Sequence, residues 1–206
     1  LRIFAVRAEG GELMAAFEVA QTVGGADIAG TLDSAGYATL TIGATSGDSR
    51  ISQDYDHLYL AFSSRNGFSA YHQYLLYEFN DDNGYIYSYT TMYGKSSTQG
   101  NTRAGAADGI RGLIGDSCAA NSLLADTFST NTLWIANYSN STNWKSTIST
   151  SAVPNNSDTD NQWVISTTAG LFADTGAITQ IMMKPGAGGG EFLEHSSYVL
   201  YGITGV

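Results

Sequence analysis

Hydrophobic and polar residues alternate with a period of two over much of the chain, and turn residues separate the runs. In residues 57–65, for example, Leu58, Leu60 and Phe62 fall on one side of an extended chain. This alternation is typical of half-buried β-strands. It predicts strands over residues 37–42, 57–65, 74–79, 85–93, 133–138, 144–150, 163–167, 177–183 and 198–203.

Turn residues mark the connections between these strands. The run Asn80-Asp81-Asp82-Asn83-Gly84 contains residues that tolerate positive φ, and it predicts a hairpin turn between its flanking strands. Residues 94–109 are rich in Gly, Ser, Thr and Asn and predict a long surface loop. Residues 12–20 contain good helix formers but also alternate, so we expect a strand over about residues 16–23.

The composition supports an all-β fold. The chain has 206 residues, of which 24 are Gly, 13 are Tyr and only 2 are Pro. Gly, Ser, Thr, Asn and Tyr are weaker helix formers than Ala, Leu, Glu and Lys. Nine or ten short strands without helical crossovers predict an antiparallel two-sheet β-sandwich of the jelly-roll type. We expect a single domain over residues 14–206, preceded by an N-terminal arm over residues 1–13.

The net charge of the chain limits the kinds of partner that it can bind. With 9 basic and 19 acidic residues the chain has a net charge of −10, and its basic residues do not cluster. Binding to nucleic acid or to an anionic membrane surface is therefore not expected. The single cysteine, Cys118, excludes an internal disulfide and a multi-cysteine zinc site. Because the first residue is Leu1 rather than Met, we expect that an upstream part was removed or left out.

Motifs that could carry catalysis are weak. The run Gly115-Asp116-Ser117 resembles the nucleophile block of a class of hydrolases, with Asp54 and His57 at the spacing of their base. The order of these blocks is reversed, however, and the expected α/β alternation is missing. The three histidines occur singly, and the acidic turns near Asp81 and Asp158 lack the pattern of a calcium loop. We predict no catalytic residue, metal or cofactor, although the carboxylates leave glycoside hydrolysis open.

Tyrosine is the clearest compositional signal. Nine of the 13 tyrosines lie between Tyr55 and Tyr93. Tyrosine suits protein interfaces and sugar stacking, but aromatic residues also simply favour strands, so both interpretations stay open. The candidate interface or ligand surface consists of Tyr85, Tyr87, Tyr89, Tyr93, Trp144 and Trp163.

Several short segments occur in an order that resembles a family of small β-rich proteins encoded in tailed-phage genomes. After an opening near Met14 they are residues 51–60 (I-x-x-x-Y-x-x-L-x-L), 79–87 (F-N-x-D-x-G…Y), 134–145 (I-x-N-Y…K), 177–181 and 196–203. The series covers most of residues 14–206. The resemblance implies a virion structural role, on the capsid surface or in a tail appendage, without catalytic residues.

We therefore expect a non-enzymatic phage virion protein that forms a homo-oligomer, with a trimer as one option, and decorates the particle surface. Its partners would be copies of itself and major capsid or tail proteins. The alternative is a tail-fibre or spike module that binds host glycans through exposed aromatic residues.

Overall fold

A computed structural model describes residues 17–23, 39–43, 45, 50–95, 98–105, 112–120, 122, 125–154, 163–186, 191–193 and 195–204. The predicted arm, residues 1–13, lies outside the described residues. The described residues form twelve β-strands and contain no helix. The strands are β1 (Phe17–Val23), β2 (Leu40–Gly43), β3 (His57–Ser64), β4 (His72–Phe79), β5 (Tyr87–Lys95), β6 (Thr98–Ala104), β7 (Gly112–Ala119), β8 (Ser129–Ile135), β9 (Lys145–Val153), β10 (Val164–Phe172), β11 (Gln180–Pro185) and β12 (Ser197–Ile203).

The strands form two antiparallel sheets that pack face to face. The larger sheet has eight strands in the order β1-β12-β3-β8-β9-β10-β5-β6, and the smaller has four in the order β2-β11-β4-β7. The pairs β2–β11, β3–β8, β4–β7 and β5–β6 are nested within one another and alternate between the two sheets. Such nesting is the strand pairing of a jelly roll. The predicted all-β, antiparallel, jelly-roll-like sandwich is confirmed.

The predicted hairpin at residues 80–84 is wrong, because β4 and β5 belong to different sheets. The local turn chemistry is nevertheless present, since Asn80 and Asp81 have φ values of 56° and 59°. The Asn80 side chain accepts hydrogen bonds from the backbone N–H groups of Thr179 (2.8 Å) and Gln180 (3.2 Å). This segment is therefore an anchored crossover from one sheet to the other.

The predicted loop over residues 94–109 is also corrected, because it contains all of β6 and the last two residues of β5. All but two of the residues of β6 are exposed, so the strand has no alternation of apolar and polar residues. Strand β7 was likewise not predicted. It begins Gly112-Leu113-Ile114-Gly115, and its small residues are weak strand formers.

An aromatic cluster at the centre of the core joins the two sheets. Tyr77 and Phe79 of β4 meet Tyr87 of β5 and Phe172 of β10, with ring centroids 4.6 to 6.4 Å apart. Burial raises the pKa of Tyr77 to about 12, although its hydroxyl hydrogen-bonds the Thr147 hydroxyl at 2.9 Å. The raised pKa follows from the desolvation of this region.

Strand β7 lies unusually close to the larger sheet. A Cβ atom on Gly115 would come within 2.5 Å of the Ser151 Cβ and 2.6 Å of the Ser166 hydroxyl. The Ser149 hydroxyl donates to the carbonyl of Ile114 at 2.6 Å. Only small side chains leave room for such an approach. The inner side of β9 and β10 is consequently lined mainly by buried serine and threonine rather than by large apolar residues.

Candidate interaction surface

The larger sheet has a solvent-facing side whose residues we call the outer face. It is defined by the residues of β12, β3, β8, β9, β10 and β5 that alternate with the buried positions. One row of the outer face crosses neighbouring strands through Tyr201, Tyr59, Trp134, Ile148, Ala169 and Thr90. The row parallel to it contains Val199, Ala61, Thr132, Thr150, Thr167 and Met92.

The outer face lacks formal charge. In these six strands no Asp, Glu, Lys or Arg occupies an outer-face position, although the chain carries 28 such residues. Threonine, serine, aliphatic and aromatic side chains take their place. Arg103, on the adjacent strand β6, lies at the rim opposite Thr90. A chain with a net charge of −10 therefore keeps one broad surface free of carboxylates.

Several outer-face residues are apolar and exposed. Met92 is 66% exposed, Ile165 is 55% exposed and Ile148 is 52% exposed. They lie on three neighbouring strands, β5, β10 and β9. Single exposed apolar residues are common on protein surfaces, but several on neighbouring strands of an uncharged sheet make the outer face the candidate interaction surface.

Two shallow depressions mark opposite ends of the outer face. One, of about 470 Å³, is lined by Thr90, Ala169 and Leu171, with Arg103 at its rim. The other, of about 350 Å³, lies where β9 ends and β10 begins and is lined by Ala152, Val153, Pro154, Trp163, Val164 and Ile165. Both could receive protruding side chains of a partner.

The structure disperses the six predicted aromatic residues. Tyr87 is a core residue with no exposed surface, so its assignment to an interface or ligand surface is wrong. Tyr89 and Tyr93 are half-buried and lie on the side of the sheet opposite the outer face. The Tyr93 ring covers Gly100 of β6, and Lys95 Nζ lies 5.1 Å from the centroid of that ring.

Tyr85, Trp144 and Trp163 are exposed, but they do not form one patch. Tyr85 (65% exposed) and Trp144 (58% exposed) precede β5 and β9 at the same end of the sandwich. Trp163 precedes β10 and therefore lies at the other end of the β9–β10 pair. The sequence patterns did not single out the exposed apolar residues on neighbouring strands, namely Met92, Ile148 and Ile165. The sequence signal that could have revealed them is the serine or threonine found at the positions of the same strands that alternate with them and face the core.

The residues of the possible hydrolase triad lie on two strands of different sheets and, for Asp54, in the segment before β3. Ser117 belongs to β7 in the smaller sheet, and His57 begins β3 in the larger one. The Nδ1 atom of His57 accepts a hydrogen bond from the backbone N–H of Asn137 at 3.0 Å. The carboxylate of Asp54 accepts one from the Ser52 hydroxyl at 2.7 Å.

The described part of the chain shows no candidate cluster of metal ligands and no candidate membrane-spanning helix. Among those residues no group of three or more His, Cys, Asp or Glu could hold a metal ion. The same residues include no helix long and apolar enough to cross a membrane.

Lys145 is a buried cation at the end of the sandwich near Trp144. Its Nζ donates hydrogen bonds to the carbonyls of Asn143 (2.7 Å) and Thr175 (2.9 Å). Burial lowers the pKa of Lys145, and the charge of Asp174 opposes this change. Both acceptors are backbone groups, which indicates that Lys145 ties residues 173–177 to β9.

Comparisons with known proteins give no family for this chain. No protein-family model matches it, and no curated protein or solved structure is significantly similar to it. The features that bear on function are therefore the outer face and the jelly-roll architecture.

Proposed function

We propose that the protein is a non-enzymatic structural component of a tailed-phage particle that packs its outer face against a capsid or tail protein. The observation that carries this proposal is the outer face itself, a broad, uncharged and partly apolar surface on an acidic protein. The phage assignment comes from the sequence resemblance. Jelly rolls occur in capsid and lectin domains alike, so the fold supports the proposal only by analogy.

The composition of the outer face suits a protein interface. Interface centres are depleted in charged residues and enriched in aromatic residues and methionine. Trp134, Tyr59 and Met92 are of these enriched types, and they lie within the uncharged rows.

The size of the outer face also suits an interface. Six strands about 4.8 Å apart, each contributing about seven residues of 3.3 Å, give an area of about 650 Å². A stable interface of ordinary size buries about 800 Å² on each partner. Because such interfaces range from about 600 to 1,000 Å² on each partner, the outer face is large enough for one stable contact.

The test places a negative charge on the outer face. Ile148→Asp combined with Ile165→Asp should leave the fold intact, because both side chains are more than half exposed. Each carboxylate would be desolvated in the interface without a partner. We expect the amount of the variant in purified virions to fall at least tenfold, measured by quantitative immunoblotting of virions carrying the variant gene.

The matched control is Tyr74→Asp, which changes an exposed aromatic residue of the smaller sheet. It should be incorporated at the wild-type level. Absence of the wild-type protein from virions, or wild-type incorporation of the double variant, would contradict the proposal.

Glycan binding is the second candidate, and the joint exposure of Tyr85 and Trp144 at one end of the sandwich favours it. Aromatic rings of this kind can stack on sugar rings. Under this alternative, Tyr85→Ala with Trp144→Ala should abolish adsorption to host cells while virions keep the protein. Trp163→Ala, at the opposite end, is the control. Normal adsorption by the double variant would exclude this site.

A further inference from the structure

Among the described residues the two sheets have four edge strands, and three of them carry features that discourage pairing with another chain. An exposed, regular edge strand is a template for a further strand, so proteins shorten, bend or charge their edges. The pairing register of β1 shifts between Val19 and Gln21, and that of β7 shifts opposite residues 73–76. Strand β2 has only four residues.

Strand β6 is the exception. Its pairing with β5 runs from Thr98 opposite Lys95 to Ala104 opposite Tyr89 without a shift. It contains no proline, and most of its residues are exposed. The Tyr93 ring covers Gly100 and supports the strand at the position where a glycine would otherwise weaken it. This edge is therefore extended, regular and accessible.

The charge of β6 points to a second copy of this chain as the occupant. In a protein of net charge −10, β6 carries no acidic residue and a single basic one, Arg103. Two copies can thus approach through β6 without bringing carboxylates together. Antiparallel pairing about Asn101 would place Arg103 opposite Gln99 of the other copy, whereas parallel pairing in register would place the two Arg103 residues side by side.

We propose that β6 pairs antiparallel with β6 of a second copy across a two-fold axis at Asn101. The pairing rests on the proposed function and deepens it, by naming the contact through which two copies of the particle component associate. Thr98 would lie opposite Ala104, and Gly100 opposite Thr102. The two larger sheets would become continuous, and the outer faces of both copies would lie side by side. A two-fold contact of this kind is isologous and closed, so it gives a dimer rather than a trimer.

Charge substitution at the axis tests the pairing. Directly opposite residues of an antiparallel pair have Cβ atoms about 5 Å apart, so like charges there repel and unlike charges attract. Asn101→Asp and Asn101→Lys should each weaken the dimer at least tenfold, measured by analytical ultracentrifugation of the purified full chain. An equimolar mixture of the two variants should recover a dimer that contains one copy of each.

The controls separate this pairing from other modes of association. Thr150→Asp and Thr150→Lys, at the middle of the outer face, should leave the dimer unchanged, and circular dichroism should show native strand content in all four variants. A monomeric wild-type chain, dimers that survive both Asn101 variants, or a mixture that stays monomeric would each overturn the pairing. Because this assay contains no virions, its failure is distinguishable from failure of the proposed function.

Discussion

Replacing Lys184 with methionine is expected to lower the free energy of unfolding by about 3 to 5 kcal/mol, the usual cost of removing one partner of a buried ion pair. Lys184 Nζ lies 2.9 Å from Glu78 Oε2, and the two side chains are only 8% and 2% exposed. They belong to β11 and β4, neighbouring strands of the smaller sheet. Methionine keeps much of the lysine packing but leaves the Glu78 carboxylate buried without this cation.

The matched variant removes both charges. Lys184→Met combined with Glu78→Leu should recover most of the lost stability, because neither buried charge then remains to be desolvated. Urea unfolding at neutral pH measures both variants. Lys95→Met, at a half-exposed cation near the Tyr93 ring, should cost less than about 1 kcal/mol. A loss as small as this for Lys184→Met would contradict the role of the buried pair.

Much of the strand content could be predicted from the sequence, because alternation directly reports a half-buried strand. Strand β3 shows this best, since Leu58, Leu60 and Phe62 are buried as predicted. The sheet to which each strand belongs could not be predicted in the same way. The turn after Phe79 has the residues of a hairpin, but they specify backbone angles and not the direction of the next strand. The crossover depends on Asn80, whose partners lie about 100 residues away.

The candidate site was harder to predict, because its apolar residues lie on the side of the sheet that alternation normally assigns to polar ones. On β9, Ile148 faces solvent, while Ser149 and Ser151 face the core. The close approach of β7 at Gly115 is the physical reason, since large inward side chains would collide with it. The approach of two distant strands leaves no local pattern in the sequence of either.

A buried hydrogen-bond network makes the polar interior of β8 and β9 stable. The Asn131 side chain donates to the Ser129 hydroxyl at 2.9 Å and accepts from the Ser151 hydroxyl at 2.5 Å. Buried polar groups cost little when they are hydrogen-bonded to one another. The core can therefore tolerate serine here, while Ile148 and Ile165 lie exposed on the outer face.

Tyr87 was assigned to the candidate surface from the sequence but lies in the core, and its replacement measures this difference directly. Tyr87→Ala is expected to cost about 3 to 5 kcal/mol, as for other buried aromatic residues. Its ring packs 5.1 Å from Phe172, and its hydroxyl accepts from the Phe79 N–H and donates to the Asp82 carbonyl, each at 2.9 Å. Burial raises the pKa of Tyr87 above its usual range.

Two companion variants separate ring from hydroxyl and core from surface. Tyr87→Phe should cost about 1 to 3 kcal/mol, because the buried Phe79 N–H loses its acceptor. Tyr85→Ala, two residues earlier and mostly exposed, should change stability by less than about 0.5 kcal/mol. Chemical denaturation of the three variants measures these differences. A loss for Tyr87→Ala as small as the loss for Tyr85→Ala would contradict the burial of Tyr87 and its place in the aromatic cluster that joins the sheets.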